Sequence, residues 1–309
     1  MKAVVCTRYG PPEVLQITEV ETPVPRDDEV LVEIHASTVN SSDWYVRSGI
    51  RHSPLTMQIP FRLMVGVRRP RQPILGLILA GKVAGAGRAV TRFRVGDRVY
   101  AFTKFHFGAY AQYTCLKEDS TLAIAPANVT DEEAAAVPYG GLLALHYLRR
   151  GNIGSGQRVL IYGASGAVGT SAVQLAMHFG AKVTGVCGPG NVELVRSLGA
   201  TAVLDYTDTQ APPAGAAYDL VLDAVGKRKN SSLKVACRQA IAPGGKYVSV
   251  DDGTPELPAG DLVLLTELVE AGTIKPVIDR TYPLERLAEA HRYVETDHKR
   301  GNVVITVAH

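Results

Sequence analysis

The stretch QRVLIYGASGAVGTSAVQLAMHFGAKVTGVCGPGN, residues 157 to 191, constrains the fold more than any other part of the chain. Its run VLIY is apolar without alternation, as a strand covered on both faces must be. Gly163, Gly166 and Gly169 follow at three-residue spacing, and a helical run opens through AVGTSAVQLA. A strand passing through glycines into a helix begins a βαβ unit whose turn can hold a dinucleotide diphosphate. Measured against G-x-G-x-x-G, Gly166 and Gly169 take the last two places and Ala164 stands in the first. Without a Cβ, Gly166 lets the backbone approach the diphosphate, and Gly169 lets the helix pack closely on the strand. The turn from Gly163 through Ala164, Ser165, Gly166, Ala167 and Val168 would present N–H groups with the helix dipole behind them. No Lys-Ser/Thr pair closes the run, so its spacing is not that of a P-loop.

Strands and helices keep alternating from there. KVTGVC, NVELVRSLG, AVLDY, YDLVLDAVG, NSSLKVACRQAI and GKYVSVD continue the rhythm of a parallel, doubly wound sheet. The part before it differs. KAVVC, VLQITEV, EVLVEIHAS, AGKVAGAG, DRVYAF, AYAQYTC and TLAIAP are short strands separated by turn residues, which suits a β-rich, barrel-like domain. TDEEAAAVPYGGLLALHYLRR opens a helical stretch with Thr130 as N-cap and three acidic residues at its positive end. After Pro276, the segments VIDRTYPL, LERLAEAHRYVE and NVVITV read as a return to the first domain.

Bulk properties narrow the function classes. The 309 residues suffice for two buried cores, and 46% apolar with 20% charged residues is ordinary for a globular protein. A net charge of +3, with no long Lys/Arg stripe, argues against nucleic acid as a partner; the basic cluster VRRPRQP reads as a solvated loop. No run approaches a membrane span or a signal peptide core, so a cytoplasmic location is expected. Cys6, Cys115, Cys187 and Cys237 share no ligand spacing, and the eight histidines form no close cluster in sequence; no metal site is expected. His146 reads as a packing residue.

The strand after the glycine turn selects the dinucleotide. NAD sites usually end it in Asp or Glu, which binds the ribose hydroxyls and repels a 2′-phosphate. Here it ends in Cys187, Gly188, Pro189, Gly190 and Asn191, without a carboxylate. NADPH is therefore expected, with NADH remaining possible. Lys182 and Arg196 are the basic candidates for a 2′-phosphate.

Several segments carry a family resemblance. VNSSDWYVRSG, VTRFRVGDRVYA, GAYAQY, EEAAAVPYGGLLAL, GASGAVGTSAVQLA, AGTIKPVIDRTYPLERLAEAHRYVE and HKRGNVVITV span nearly the whole chain. In that order they resemble the zinc-independent quinone oxidoreductase branch of the medium-chain dehydrogenase/reductase superfamily. The resemblance implies an α/β protein with a GroES-like catalytic domain, residues 1–124 and 276–309, a Rossmann domain, residues 125–275, and an active site in their cleft. Zinc-dependent relatives carry a catalytic Cys and a His in a GHE segment; here NSSD and ILGLILAG hold neither. Lewis-acid polarisation is what an unactivated alcohol requires to lose hydride. A C=C bond conjugated to a carbonyl requires less, because the charge spreads into an enolate that a few hydrogen bonds hold. The expectation is thus NADPH-dependent reduction of an enone, enal or quinone, a small-molecule substrate.

By the same resemblance, Asn40 and Tyr45 lie near nicotinamide and substrate, and Tyr45 or a water donates a proton. The alternative is that Asn40 caps a turn and Tyr45 lines a wall. Asp43 is expected to be a helix-start residue rather than a base. Tyr206 is expected near the adenosine, Ala224, Val225 and Gly226 at a ligand-binding strand end, Val250 beside the carboxamide, and Asn302 in the cofactor cleft. The sequence also departs from its relatives. Leu143 replaces a common Thr, Ile78 stands where many relatives have an acidic residue, and the stretch after GKYVSVDDG is shortened. That shortening removes a strand which often pairs across a dimer, so a monomer or a homodimer with another interface is expected. Two other readings stay open: a metal-free carbonyl or alcohol oxidoreductase, and a non-catalytic NADP(H)-binding or sensing protein.

Overall fold

The computed structural model describes every residue except 51–54 and 229–230. Residues 51–54, and Asn230 at the start of NSSLKVACRQAI, lie outside the described residues. The chain divides into two compact units: Met1–Pro138, Pro258–Thr266 and Ile278–His309 form the first, and Tyr139–Leu257 with Glu267–Val277 the second.

In the first unit, strands β1 (Lys2–Cys6) and β2 (Leu15–Glu19) pair antiparallel. The long strand β3 (Glu29–Val39) leads into helix α1 (Ser41–Ser48), and α2 (Leu55–Val65) follows. Strands β4 (Ile78–Ala86), β5 (Arg98–Phe102), β6 (Tyr113–Lys117) and β7 (Leu122–Ile124) complete the N-terminal part, before the short helix α3 (Asp131–Ala135).

The second unit begins with α4 (Pro138–Arg150) and β8 (Arg158–Tyr162), then α5 (Ala167–His178) and β9 (Lys182–Cys187). Next come α6 (Val192–Ser197), β10 (Ala202–Asp205), β11 (Tyr218–Asp223), α7 (Ser232–Gln239) and β12 (Ile241–Ser249). Helix α8 (Ala259–Glu270) has residues in both units. Strand β13 (Ile278–Pro283), helix α9 (Leu287–Glu295) and strand β14 (Asn302–Thr306) belong to the first unit.

The first unit's sheet has seven strands: β13-β14-β3-β4-β5-β7 in order, with β6 also pairing β3. The C-terminal strand β14 lies antiparallel against β3, so the chain's two ends share one sheet, as expected. The second unit holds five parallel strands in the order β10-β9-β8-β11-β12, the arrangement of a doubly wound nucleotide domain. Its core packs Leu160, Tyr162, Val186, Tyr218, Val221, Leu233 and Cys237.

Two boundaries differ from the sequence reading. The helical stretch opened by Thr130 is two helices, because the residue before Pro138 is pushed out of the helical region and Pro138 starts the next one. The first of them, α3, packs with strands of the first unit, so the division falls after Pro138 and not at residue 124. Among the described residues no helix is long and apolar enough to cross a membrane.

Candidate functional site: the glycine turn and the strand ends around it

Strand β8 ends at Tyr162, and the chain turns through Gly163 with φ at 84°, a left-handed conformation that favours glycine. The turn is pinned to the neighbouring strand, since the amides of Gly163 and Ala164 donate to the carbonyl of Val186 at 3.0 and 2.9 Å. Gly166 then caps α5. The glycines have different jobs. A Cβ on Gly169 would stand 2.1 Å from the Gly163 carbonyl oxygen and 2.7 Å from the Ala164 backbone, so this residue lets α5 sit against the strand turn. A Cβ on Gly166 would meet nothing nearer than 3.7 Å, and its φ of −80° suits any residue. Nothing within the protein requires glycine there. The open space over the first turn of α5 is where an anion would approach the helix N-terminus.

The end of β9 lies beside that turn. The Asn191 amide donates to the Ser165 hydroxyl at 3.3 Å, while the Asn191 Oδ1 is buried without a hydrogen-bond partner. Gly188 leaves room for the Tyr206 ring: a Cβ there would be 3.2 Å from the phenol oxygen. Tyr206 is 47% exposed, an apolar face open to solvent, and its amide donates to the Cys187 carbonyl at 3.1 Å. The structure thus gathers Ser165, Gly188, Asn191 and Tyr206 around one edge of the glycine turn. Cys187 itself is buried, and burial pushes its thiol up to about 11, so it acts as a core residue. Burial does the same to Cys6 and Cys115, and to Cys237 at about 12.

Neither basic candidate for a 2′-phosphate is supported. Lys182 opens β9, about 17 Å from its far end at the usual strand rise. Arg196 is paired with Glu193 at 2.9 Å. The carboxylate of Asp205, in register with Cys187, is occupied by the Thr207 amide and hydroxyl at 2.9 and 2.8 Å.

The segment after β11 is held by Asp223, the first residue of DAVG at that strand end, through partners no sequence pattern announces. Asp223 is 1% exposed, and one of its oxygens accepts from the amides of Val225 and Gly226 at 3.1 and 3.0 Å. Its other oxygen accepts from Lys234 and from the Tyr247 hydroxyl, both at 2.7 Å. Gly226, at φ 72°, faces the Asp251 carboxylate so closely that a Cβ would lie 2.4 Å from it. The loop Ala224–Gly226 is therefore a rigid shelf at the carboxyl edge of the sheet. Val250 is anchored the same way, its amide on the Asp223 carbonyl at 3.0 Å and its carbonyl on Tyr147 at 2.8 Å.

In the first unit, Asn40 is 1% exposed and caps α1: its Oδ1 accepts from the Ser42 amide and its own amide donates to Asp43, both at 2.9 Å. This is the capping geometry given above as the alternative for Asn40, and Asp43 takes the helix-start place expected of it. Tyr45 is half-buried on α1, with its ring against Trp44 at 4.6 Å. Asn302, 3% exposed, donates to the Ala136 carbonyl at 2.9 Å and so ties β14 to α3. These residues lie in the first unit, and the glycine turn in the second.

The histidines depart from expectation. His35 and His309 come together beside Glu33, three potential ligand atoms within 4.8 Å of one another. Their separation of 274 positions hid the cluster, which only the pairing of β14 with β3 creates.

Comparison with known proteins adds an independent line. Residues 26–126 match the family described as alcohol dehydrogenase GroES-like domain, and 198–264 with 256–305 match the zinc-binding dehydrogenase family. The chain is 32% identical to an NADPH-dependent alkenal/one oxidoreductase, chloroplastic, of Arabidopsis thaliana, over 99% of this chain and 79% of the relative. It is also 32% identical to a chloroplastic quinone-oxidoreductase homolog of Spinacia oleracea, over 99% and 98% of the two chains. Among solved structures, the quinone oxidoreductase from Coxiella burnetii superposes with a TM-score of 0.84 at 25% identity, covering 100% and 99%.

Proposed function

The chain belongs to the quinone oxidoreductase-like branch of the medium-chain dehydrogenase/reductase superfamily, and on that premise we propose that it is an NADPH-dependent reductase of quinones and of C=C bonds conjugated to a carbonyl, working without a catalytic metal. One observation carries the cofactor half of this reading. Gly166 sits at the head of α5 with no internal reason to lack a side chain and with open space where its Cβ would be. A diphosphate approaching that point accounts for the residue.

The residues present fit the cofactor. The amides of Ser165, Ala167 and Val168 would hold the diphosphate, and the Asn191 Oδ1, buried without a partner, is available to a ribose hydroxyl. Tyr206 and Gly188 offer a flat apolar face for the adenine, and the Ala224–Gly226 shelf borders the remainder of the dinucleotide. When bound, the reduced nicotinamide would supply the hydride that the β-carbon of the acceptor takes up. The missing carboxylate at the end of β9 leaves a 2′-phosphate unopposed, which supports NADPH over NADH. Lys182 lies at the other end of β9 and Arg196 is paired with Glu193, so neither selects the 2′-phosphate and the preference should be modest.

Once hydride has added, the acceptor carries its charge on an enolate oxygen, which a hydroxyl donor stabilises and then protonates. Tyr45 is our proposed donor. Asn40 holds the first turn of α1, and so sets the position of Tyr45, through its cap. NADPH and NADH titrations followed by ligand fluorescence test the cofactor assignment: saturable binding with NADPH the tighter is expected, and no saturable binding contradicts it. Consumption of NADPH with a panel of enones, enals and quinones tests the reaction. A second reading, binding without turnover, rests on Leu143, where relatives commonly place a hydroxyl. Tight NADPH binding with no acceptor reduced would select it.

A further inference from the structure

Strand β3 places Glu33 and His35 two residues apart, hence on one face of the sheet. The antiparallel strand β14 brings the chain's last residues alongside, with the Val307 amide on the His35 carbonyl at 2.9 Å, and so delivers His309 to the same face. Both imidazoles are then oriented by fixed acceptors. His35 Nδ1 lies 2.6 Å from the Asp131 carboxylate, and His309 Nε2 lies 2.9 Å from the Ile34 carbonyl. Each of these ring nitrogens must carry the proton, since neither acceptor can donate. That leaves His35 Nε2 and His309 Nδ1 as the lone-pair atoms, and they face the same Glu33 oxygen at 3.6 and 3.7 Å.

In neutral imidazoles, two lone pairs converging on a carboxylate repel it. A donor or a cation among them relieves that repulsion: a bridging water, a proton on an imidazole, or a metal ion. The geometry favours the ion. A tetrahedral zinc with ligands about 2.1 Å away separates its ligand atoms by about 3.4 Å, close to the two spacings observed. An outer carboxylate or carbonyl on the second nitrogen of each histidine is how zinc-ligating imidazoles are usually held. Asp131 is suited to that role. One of its oxygens holds His35 at 2.6 Å. Arg98 takes the other Asp131 oxygen at 2.7 Å, so the charge facing the two imidazoles is that of Glu33. The His35 and His309 rings meet edge to face at 5.7 Å, and Tyr113, the register partner of Glu33, braces His309 at 5.4 Å. Side-chain exposures of 34% for His35, 29% for Glu33 and 24% for His309 leave an entry path and a fourth position for water.

We propose that Glu33, His35 and His309 form a binding site for one zinc ion, oriented by Asp131, that fastens β3 to the segment following β14. His35 stands five residues before Asn40 on the extended chain, about 17 Å along the strand direction, so this ion plays no part in the proposed hydride transfer. The inference does not depend on the cofactor reading.

Tag-free protein, stripped with a chelator and dialysed, is titrated with Zn²⁺ alone and with Co²⁺ alone. One ion per chain is expected, with the intense visible bands of tetrahedral Co²⁺ and a rise in melting temperature on adding Zn²⁺. His309→Ala, at an exposed end of the chain, should abolish the bands and the thermal shift. Asp131→Asn should weaken binding about 10- to 100-fold while retaining the stoichiometry. Absence of saturable binding overturns the proposal. So does binding that is unchanged in both His309→Ala and Glu33→Gln, since the ion would then sit elsewhere.

Discussion

Gly166 and Gly169 are three residues apart in one turn, yet opposite consequences follow from adding a methyl group to each. Gly169→Ala drives a Cβ into the backbone of Gly163 and Ala164 and should cost at least about 2 kcal/mol in urea unfolding. Gly166→Ala has room, so its loss should stay within about 1 kcal/mol, the difference between the two as caps. NADPH affinity should nevertheless fall at least about tenfold in Gly166→Ala, because the methyl group occupies the diphosphate's approach. Equal affinity in the two proteins would remove the diphosphate from this turn. Glycine spacing made this pair legible in the sequence. Asp223 was not legible, because its importance comes from Lys234 and Tyr247 folding back onto it, and no local pattern announces such partners.

Two buried groups in the first unit pull stability in opposite directions with pH. Burial raises the Asp43 carboxyl to about 7, against opposing hydrogen bonds from the Asn40 backbone and the Tyr110 hydroxyl. Between its unfolded value of about 3.9 and about 7, the folded state holds the extra proton, so this group's contribution falls as pH rises. His291, 0% exposed with both ring nitrogens unpartnered, is held well below the ordinary histidine value by burial and by Arg47. Below about 6.5 the unfolded chain takes that proton first, so its contribution falls as pH drops. Asp43→Asn removes only the first effect. Its unfolding free energy should therefore rise more steeply than that of the parent protein between about pH 5 and about pH 7. Parallel pH profiles for the two proteins would contradict the assignment.

At the scale of elements, capping signals were the clearest part of the sequence. Thr130 accepts from the Glu133 amide at 3.2 Å, and Glu133 accepts from the Thr130 amide at 2.9 Å. Thr130→Ala should cost about 1 kcal/mol in denaturant unfolding, and no measurable loss would mean that tertiary packing alone sets the helix start. The same signal misled on length, because a run of alanines masks the interruption that Pro138 imposes. The parallel strands were legible as unbroken apolar runs. The His35–Glu33–His309 cluster was not, since strand register, set by whole-sheet packing, decides which distant residues become neighbours.

For the whole molecule, the shortened stretch after residue 252 has a visible consequence: β12 is the outer strand of the parallel sheet. Pro243, Gly244 and Lys246 are exposed along it, and its pairing with β11 shifts register, features that discourage a second chain from adding a strand. Outward-facing β12 amides should exchange with deuterium at rates independent of protein concentration. Protection that grows with concentration would reveal an edge-to-edge dimer.

Hydride delivery to a conjugated double bond is the step on which the proposed activity rests. NADPH carrying deuterium at its transferable position, incubated with the protein and a simple enone, gives the most direct measurement. A saturated ketone with one deuterium on the β-carbon, formed equally well after chelator treatment, is the expected product. Deuterium on the carbonyl carbon of an alcohol product, or activity that vanishes with the metal and returns on adding Zn²⁺, would contradict it.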